Sequence, residues 1–364
     1  MCLVPEASDT ERTAAASAHV RLITPAVQPG LVGTEVLLLD TPLPADFTPQ
    51  LVIGHDRKTG PHATALARRF AGSKLIILIH TRPADIEWHK DKLGGDDAAI
   101  TAEQRKDLQQ KLAAGADLLV GVGPRLADAA ATHIYLMDPK PPVHRLDPGF
   151  HAVQRPSGLP PEIHCLLLGR AEDATLKGLD IAARALGSVA KRSRLTTPPR
   201  LIVRGAPSGT GKDLRKSLVD FAKFQLDIEV RPYSPDLEQL QRDILASSLV
   251  LMPSRSEGFG LVGLEAIAAG TPVLVSDQSG LGDLLRERLG KLAEPAIVAT
   301  HSKLNKAAPE WERAIESVLL DRHAAFIRAA RLRQALAIEL TWPEAISRLE
   351  AAWSRLFADL PPAA

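Results

Sequence analysis

Apolar and polar positions follow two rhythms along the chain. Residues 36–39, 51–53, 75–79 and 118–122 are short apolar runs of strand length, and residues 62–70 and 102–114 carry apolar side chains at helical spacing. A second series of strand-sized runs follows at 165–168, 201–203, 228–230, 249–252 and 273–275. Strands that alternate with helices predict parallel sheets covered by helices, because a parallel crossover needs an intervening element of helical length. Between the two series lies a proline-rich stretch with Pro139, Pro141, Pro142, Pro148, Pro156, Pro160 and Pro161. It reads as the crossing between a first unit, residues 1–150, and a second, residues 151–340. Residues 311–338 are rich in Ala, Arg and Leu and predict helix, and residues 342–356 continue with Ile346, Leu349, Trp353 and Leu356 on one stripe.

Composition narrows the class. A chain of 364 residues that is 45% hydrophobic buries a large interior and is better divided into two domains than one. With 44 basic and 43 acidic residues it carries no basic field for nucleic acid. The two cysteines, Cys2 and Cys165, give no disulfide framework and favour a reducing cytoplasm. The apolar runs fall far short of the roughly 20 residues of a membrane helix. Pro5, Glu6 and Asp9 stand where a secretory leader would place a basic patch and an apolar stretch.

The densest signal lies in residues 249–276. A short apolar strand runs into the polar, glycine-rich loop 254–260, then a helix over 261–269 stopped by Gly270, then a strand over 271–276. A loop that leaves the carboxyl end of a parallel strand and feeds a helix N-terminus is a place for anionic ligands, since free N–H groups and the helix dipole converge there. Glu257 stands just before the helix and Glu265 about one turn inside it. Carboxylates repel phosphate and suit hydroxyls beside it, so the layout fits a ligand with an anionic middle and hydroxyl-rich ends, such as a nucleotide-sugar. The plainer alternative is a pair of solvated acids near a helix start, where acidic residues are common.

The run Ser256-Glu257-Gly258-Phe259-Gly260-Leu261-Val262-Gly263-Leu264-Glu265-Ala266 resembles the E-x7-E signature of retaining GT-B glycosyltransferases of the family-four type. Further along the chain, Gly169-Arg170 with Lys177-Gly178 resembles the element that opens that family's nucleotide-binding domain. Arg231, Tyr233 and the predicted helix over 236–247 resemble the segment edging the base pocket. Ile79-His80-Thr81 and the stretch 115–123 resemble strands of the acceptor domain. The resemblance implies an α/β GT-B fold, two Rossmann-like domains facing a cleft, with a last helix over 341–364 returning to the first domain. It implies transfer of a sugar from a nucleotide-diphosphate donor with retention. Arg170 and Lys177 would neutralise the diphosphate together with amides around Phe259, Gly260, Leu261 and Val262. Glu265 would hold the ribose diol, and Glu257, Gly258 and Phe259 the donor sugar. Arg231 and Tyr233 would border the base, and neutral His80 would donate a hydrogen bond near the anomeric carbon. No cofactor and no metal are expected, and the sequence holds no Asp-x-Asp tripeptide. The expected partners are the nucleotide-sugar and a small-molecule, lipid-linked or glycan acceptor, with peripheral membrane contact and no nucleic acid.

Two departures accompany the resemblance. The family's first strand and glycine-rich loop have no counterpart, so the N-terminal domain reads as incomplete, either a natural short version or a chain whose true start lies upstream. The spacing from Arg170 to Lys177 is also longer than usual, which fits a loop that bulges outward. A non-catalytic nucleotide-sugar-binding module, or an epimerase on the same fold, are the competing readings. His55, after Gly54 at another strand end, is either a lining of the acceptor side or merely exposed. The string from Gly205 to Asp213 imitates a P-loop but has the wrong glycine spacing and an acid where a magnesium-binding hydroxyl belongs.

Overall fold

A computed structural model describes residues 1–26, 29–30, 33–38, 43–90, 95–192, 195 and 197–358. A small parallel pair, β1 (Cys2–Leu3) and β2 (Leu22–Ile23), precedes the first main sheet. That sheet comprises β3 (Leu51–His55), β4 (Lys74–Ile79), β5 (Leu118–Val122) and β6 (Val143–Leu146), parallel and in sequential order. Sequential order with crossovers of one hand places successive helices on the same face. Accordingly Ala63 and Ala67, Ala113, and Leu126 and Ala130, from three different helices, pack with Val52, Leu75, Ile77, Ile79 and Leu119 in one core. Because side chains alternate along a strand, Ile76, Leu118 and Val120 point the other way. That second face is covered by Ala345 and Leu349 of the helix Trp342–Ser354.

The second sheet holds β7 (His164–Leu168), β8 (Arg200–Ala206), β9 (Asp227–Pro232), β10 (Leu249–Met252), β11 (Val273–Ser276) and β12 (Ile297–Val298). Its spatial order is β12-β11-β10-β7-β8-β9, all parallel. Numbered from β7, this is the doubly wound order 3-2-1-4-5-6, which reverses direction between β7 and β10 and opens a crevice at their carboxyl ends. Both faces are covered, so the inner strands read as unbroken apolar runs rather than alternating ones, whereas the edge strand β9 alternates. β10 and β11 are buried at every position.

Three expectations change. The apolar run at residues 36–39 was expected to be a strand; residues 36–38 lie instead in the 3₁₀ helix Gly33–Leu38, and Leu39 falls outside the described residues. Val36 and Leu37 are buried all the same, and a run this short satisfies its burial in a turn as well as in a strand. The proline-rich stretch, read as a plain crossing, contains β6, whose residues pair with Leu119 to Val122. Residues between Arg170 and Lys177 fold inward rather than bulging out. They form the 3₁₀ turn Ala171–Asp173 and the short helix Ala174–Lys177, with Ala171 and Leu176 buried. Among the described residues no helix is long and apolar enough to cross a membrane.

Candidate functional site

A cavity of about 250 Å³ lies at the point where the second sheet reverses direction. Its walls are the carboxyl end of β7 with Leu168 and Gly169, the end of β10 with Leu251 and Met252, and the loop Glu257 to Val262. His80, Val122 and Leu126 close it from the first sheet. The loop feeds the helix Leu261–Ala268, and the residue before that helix, Gly260, has φ +109°. Only glycine adopts that backbone freely, and a Cβ there would stand 2.7 Å from the Met252 methyl. Gly260 brings no side chain to cap the helix, and the first two helical residues, Leu261 and Val262, line the cavity.

Charges are paired across this cavity. Lys177 Nζ donates to Glu257 Oε2 at 2.5 Å, each side chain about one-fifth exposed, and Ser254 Oγ donates to the same oxygen at 3.3 Å. The loop that carries Glu257 is fixed along its length. Glu257 N–H donates to the Gln278 carbonyl, Gly280 N–H to the Glu257 carbonyl and Leu281 N–H to the Phe259 carbonyl, at 2.9, 3.2 and 2.7 Å. Arg255, almost wholly buried, holds Asp180 in a two-pronged pair at 2.8 and 2.7 Å and donates to the carbonyls of Thr175 and Ser302. Its backbone N–H donates to the Leu176 carbonyl at 2.9 Å. Arg255 therefore ties the glutamate loop to the turn that carries Lys177.

The first sheet presents His80 at the end of β4. Its loop is organised by Asp56, buried and in the left-handed region at φ +45°. Asp56 Oδ2 accepts from Thr81 Oγ1 and Thr81 N–H at 2.8 and 3.2 Å, and Oδ1 accepts from Gln109 Nε2 at 2.8 Å. His55, at the end of neighbouring β3, lies edge to edge with His80, ring centroids 5.1 Å apart. Both rings touch solvent, yet the surrounding protein lowers their pKa by desolvation; for His80 the nearby His55 adds to this and Asp56 opposes it.

Contacts between the two sheets' loops set the cavity's width. A Cβ on Gly123, at the end of β5, would meet the Phe259 ring at 2.4 Å, and one on Gly258 would meet the His80 carbonyl at 2.7 Å. The helix Gly280–Leu289 adds three ion pairs to the first unit: Asp283 with Arg125 at 2.7 Å, Glu287 with Arg145 at 2.7 Å and Arg288 with Asp147 at 3.2 Å.

Of the residues singled out from sequence, His80, Lys177, Glu257, Phe259, Gly260, Leu261 and Val262 line one cavity. Gly258 lies in the contact under His80. Others stand outside. Arg170 is 73% exposed and only loosely paired with Asp173 at 4.0 Å. Arg231 is engaged by Glu229 and Asp243 at 2.7 and 2.6 Å, and Tyr233 is 70% exposed. Glu265 keeps an exposed surface while desolvation by its surroundings raises its pKa. Sequence reasoning missed Asp56, Gln109, Arg255 and Asp180. The only hint was an acid directly after His55 and an arginine inside a loop of small residues.

Residues 1–349 match the family described as "Family 4 Glycosyltransferase in conflict systems". The D-inositol 3-phosphate glycosyltransferase of Rhodococcus erythropolis is 38% identical over 198 residues, covering 53% of this chain and 42% of that protein. The enzyme of the same name from Gordonia bronchialis is 34% identical over 186 residues, covering 50% of this chain and 38% of its own length. The chain thus spans well under two-thirds of these relatives. Among solved structures, sucrose-phosphate synthase from Thermosynechococcus elongatus superposes with a TM-score of 0.70 at 20% identity, over 98% of this chain and 86% of that one. A structure of S. aureus TarM with UDP and alpha-GlcNAc-glycerol superposes with 0.60 at 14% identity, over 84% and 55%. These structures carry the fold, which is GT-B.

Proposed function

The chain belongs to the family 4 glycosyltransferases of conflict systems, and on that premise we propose that it transfers a sugar from a nucleotide-diphosphate donor to an acceptor hydroxyl with retention of configuration. The observation that carries this reading is the Lys177–Glu257 pair, 2.5 Å apart beneath an uncapped helix N-terminus at the reversal of the sheet. Lys177 and the amides of Gly260, Leu261 and Val262 offer positive charge to a diphosphate, while Glu257 accepts hydrogen bonds from sugar hydroxyls.

In the proposed reaction the bond from the anomeric carbon to the diphosphate oxygen breaks, and its electron pair leaves with the diphosphate. The acceptor oxygen attacks the same face of the oxocarbenium-like sugar, and its proton passes to the departing phosphate oxygen. Preorganised donors aimed at the developing charge lower this barrier. His80 borders the sugar from the opposite wall. The enclosed volume holds the diphosphate and sugar, and the nucleoside extends along the second sheet, toward Glu265 for the ribose and toward Tyr233 and Arg231 for the base. Arg170 is the proposed second cation, reaching the diphosphate by swinging its exposed side chain inward. The charge-bearing groups assigned here are side chains and amides, and no metal is included in the scheme. The acceptor is a small molecule, a glycan or a lipid-linked molecule, the last presented at a membrane surface, and the proposed compartment is the cytoplasm.

Incubation with a panel of UDP-, GDP- and ADP-sugars tests the reading. UDP-sugars come first because UDP is bound in the TarM neighbour. Release of nucleoside diphosphate that is lost in Lys177→Ala and Glu257→Ala is the expected result. Tight donor binding without any release would replace the enzyme by a binding module.

A further inference from the structure

His55 lies outside the cavity lining, yet its ring meets that of His80 nitrogen to nitrogen: His55 Nδ1 and His80 Nε2 are 2.9 Å apart. The rings are nearly parallel, 11° between planes. This geometry is built by the fold. β3 and β4 are neighbouring parallel strands, so their carboxyl ends lie side by side, and Asp56 fixes the backbone after both. His55 is itself anchored where its N–H donates to Thr59 Oγ1 at 2.8 Å.

Two neutral imidazoles joined by one hydrogen bond share a single proton between the facing nitrogens. If His55 Nδ1 carried it, both rings would be in the less stable Nδ1–H form. If His80 Nε2 carries it, both are in the Nε2–H form that imidazole side chains prefer in water, and His55 Nδ1 is the acceptor. The hydrogen bond on one ring nitrogen dictates what the other can do. We propose that His55 is a positioning residue that holds His80 as the Nε2–H tautomer, leaving His80 Nδ1 as an acceptor for a hydroxyl of the bound sugar or acceptor. His80 thereby takes a hydroxyl proton into a hydrogen bond instead of offering one of its own. The role of His80 toward a sugar rests on the function proposed above, while the tautomer is a property of the protein itself.

The charged and titratable groups around the pair are Asp56 beneath it and Lys177 and Glu257 across the cavity. None of the three takes a proton from a neutral pair, and the lowered pKa of both rings keeps the pair neutral at pH 7.

The test is made on the full chain in two arms. Histidine-selective ¹⁵N NMR at pH 7.5 reads the tautomer directly. His80 is expected to show a protonated Nε2 and an unprotonated Nδ1, a pattern that His55→Phe relaxes toward a mixture; a protonated Nδ1 on His80 overturns the proposal whether or not the protein turns over donor. In the kinetic arm, His55→Phe keeps an aromatic ring at this position and removes the acceptor. It is expected to lower kcat about 100-fold, the scale of a misplaced reacting group, with donor Kd changed less than about twofold. His55→Asn puts an amide oxygen near the former Nδ1 and is expected to recover most of the loss. Equal kcat in His55→Phe and the unmodified protein, or equal loss in the Phe and Asn variants at unchanged melting temperature, sinks the idea. Absence of any donor turnover in the unmodified protein counts against the proposed function alone, and the NMR arm then decides the tautomer.

Discussion

Arg255 and Asp180 form a two-pronged ion pair, 2.8 and 2.7 Å, between the loop that carries Glu257 and the helix that follows Lys177. The Arg255 and Asp180 side chains are only 3% and 10% exposed, so the pair belongs to the interior, where a charge left without its partner is costly.

Arg255→Met is therefore expected to destabilise the protein by about 3 to 5 kcal/mol, because it strands the Asp180 carboxylate. The double variant Arg255→Met/Asp180→Leu, which removes both charges, is expected to lose less than Arg255→Met alone. Urea denaturation of the four-member cycle measures the coupling, and additive losses would show the pair to be two independent residues.

Lys177 and Glu257 act as one unit in the proposed site, so their losses are expected to be non-additive. Each alanine variant should lower donor turnover at least about 100-fold, the scale seen when a charge-stabilising donor is removed. The double variant should fall little further. Steady-state rates with the best donor check this, and a double variant whose loss equals the product of the single losses would contradict it.

The histidine pair gives a pH dependence with a definite sign. His55 and His80 have folded pKa values below the unfolded value of 6.5. Below 6.5 the unfolded chain binds more protons at these rings than the folded one, so their neutral burial is a full asset above 6.5. It is lost as pH falls from 6.5 through the folded values. Turnover should follow, holding flat above 6.5 and declining only at more acidic pH. A pH–rate profile whose acid limb lies above 6.5 would speak against a neutral His80.

Glu265 reverses that sign. Desolvation raises its folded pKa above the unfolded 4.5, so the folded state binds more protons there between the two values, and stability is lost as pH rises through the folded pKa. Glu265→Gln is thus expected to leave the melting temperature at pH 7 unchanged or higher while weakening donor binding about tenfold through loss of a charged acceptor for the ribose. Calorimetric titration with a nucleoside diphosphate and a thermal scan separate the two effects. A variant that is less stable and binds normally would make Glu265 a structural residue.

The sequence by itself determined a good deal of this protein. Every run of the second series became a strand: those buried on both faces announce themselves as uninterrupted apolar stretches, and the edge strand β9 by its alternation of Ile228, Glu229 and Val230. The loop from Glu257 to Gly260 was legible for a similar reason, since glycines, a flanking strand and a helix start are local signals. Tertiary structure alone decided the rest. It turned residues 36–38 into a 3₁₀ helix and drew β6 out of a proline-rich stretch. It also brought Asp56 under Thr81, His55 against His80 and Arg255 onto Asp180, and it left the Arg231 guanidinium held by Glu229 and Asp243. The first three of these pairings join residues 25 or more positions apart, and no local periodicity encodes a pairing that depends on which strands end side by side.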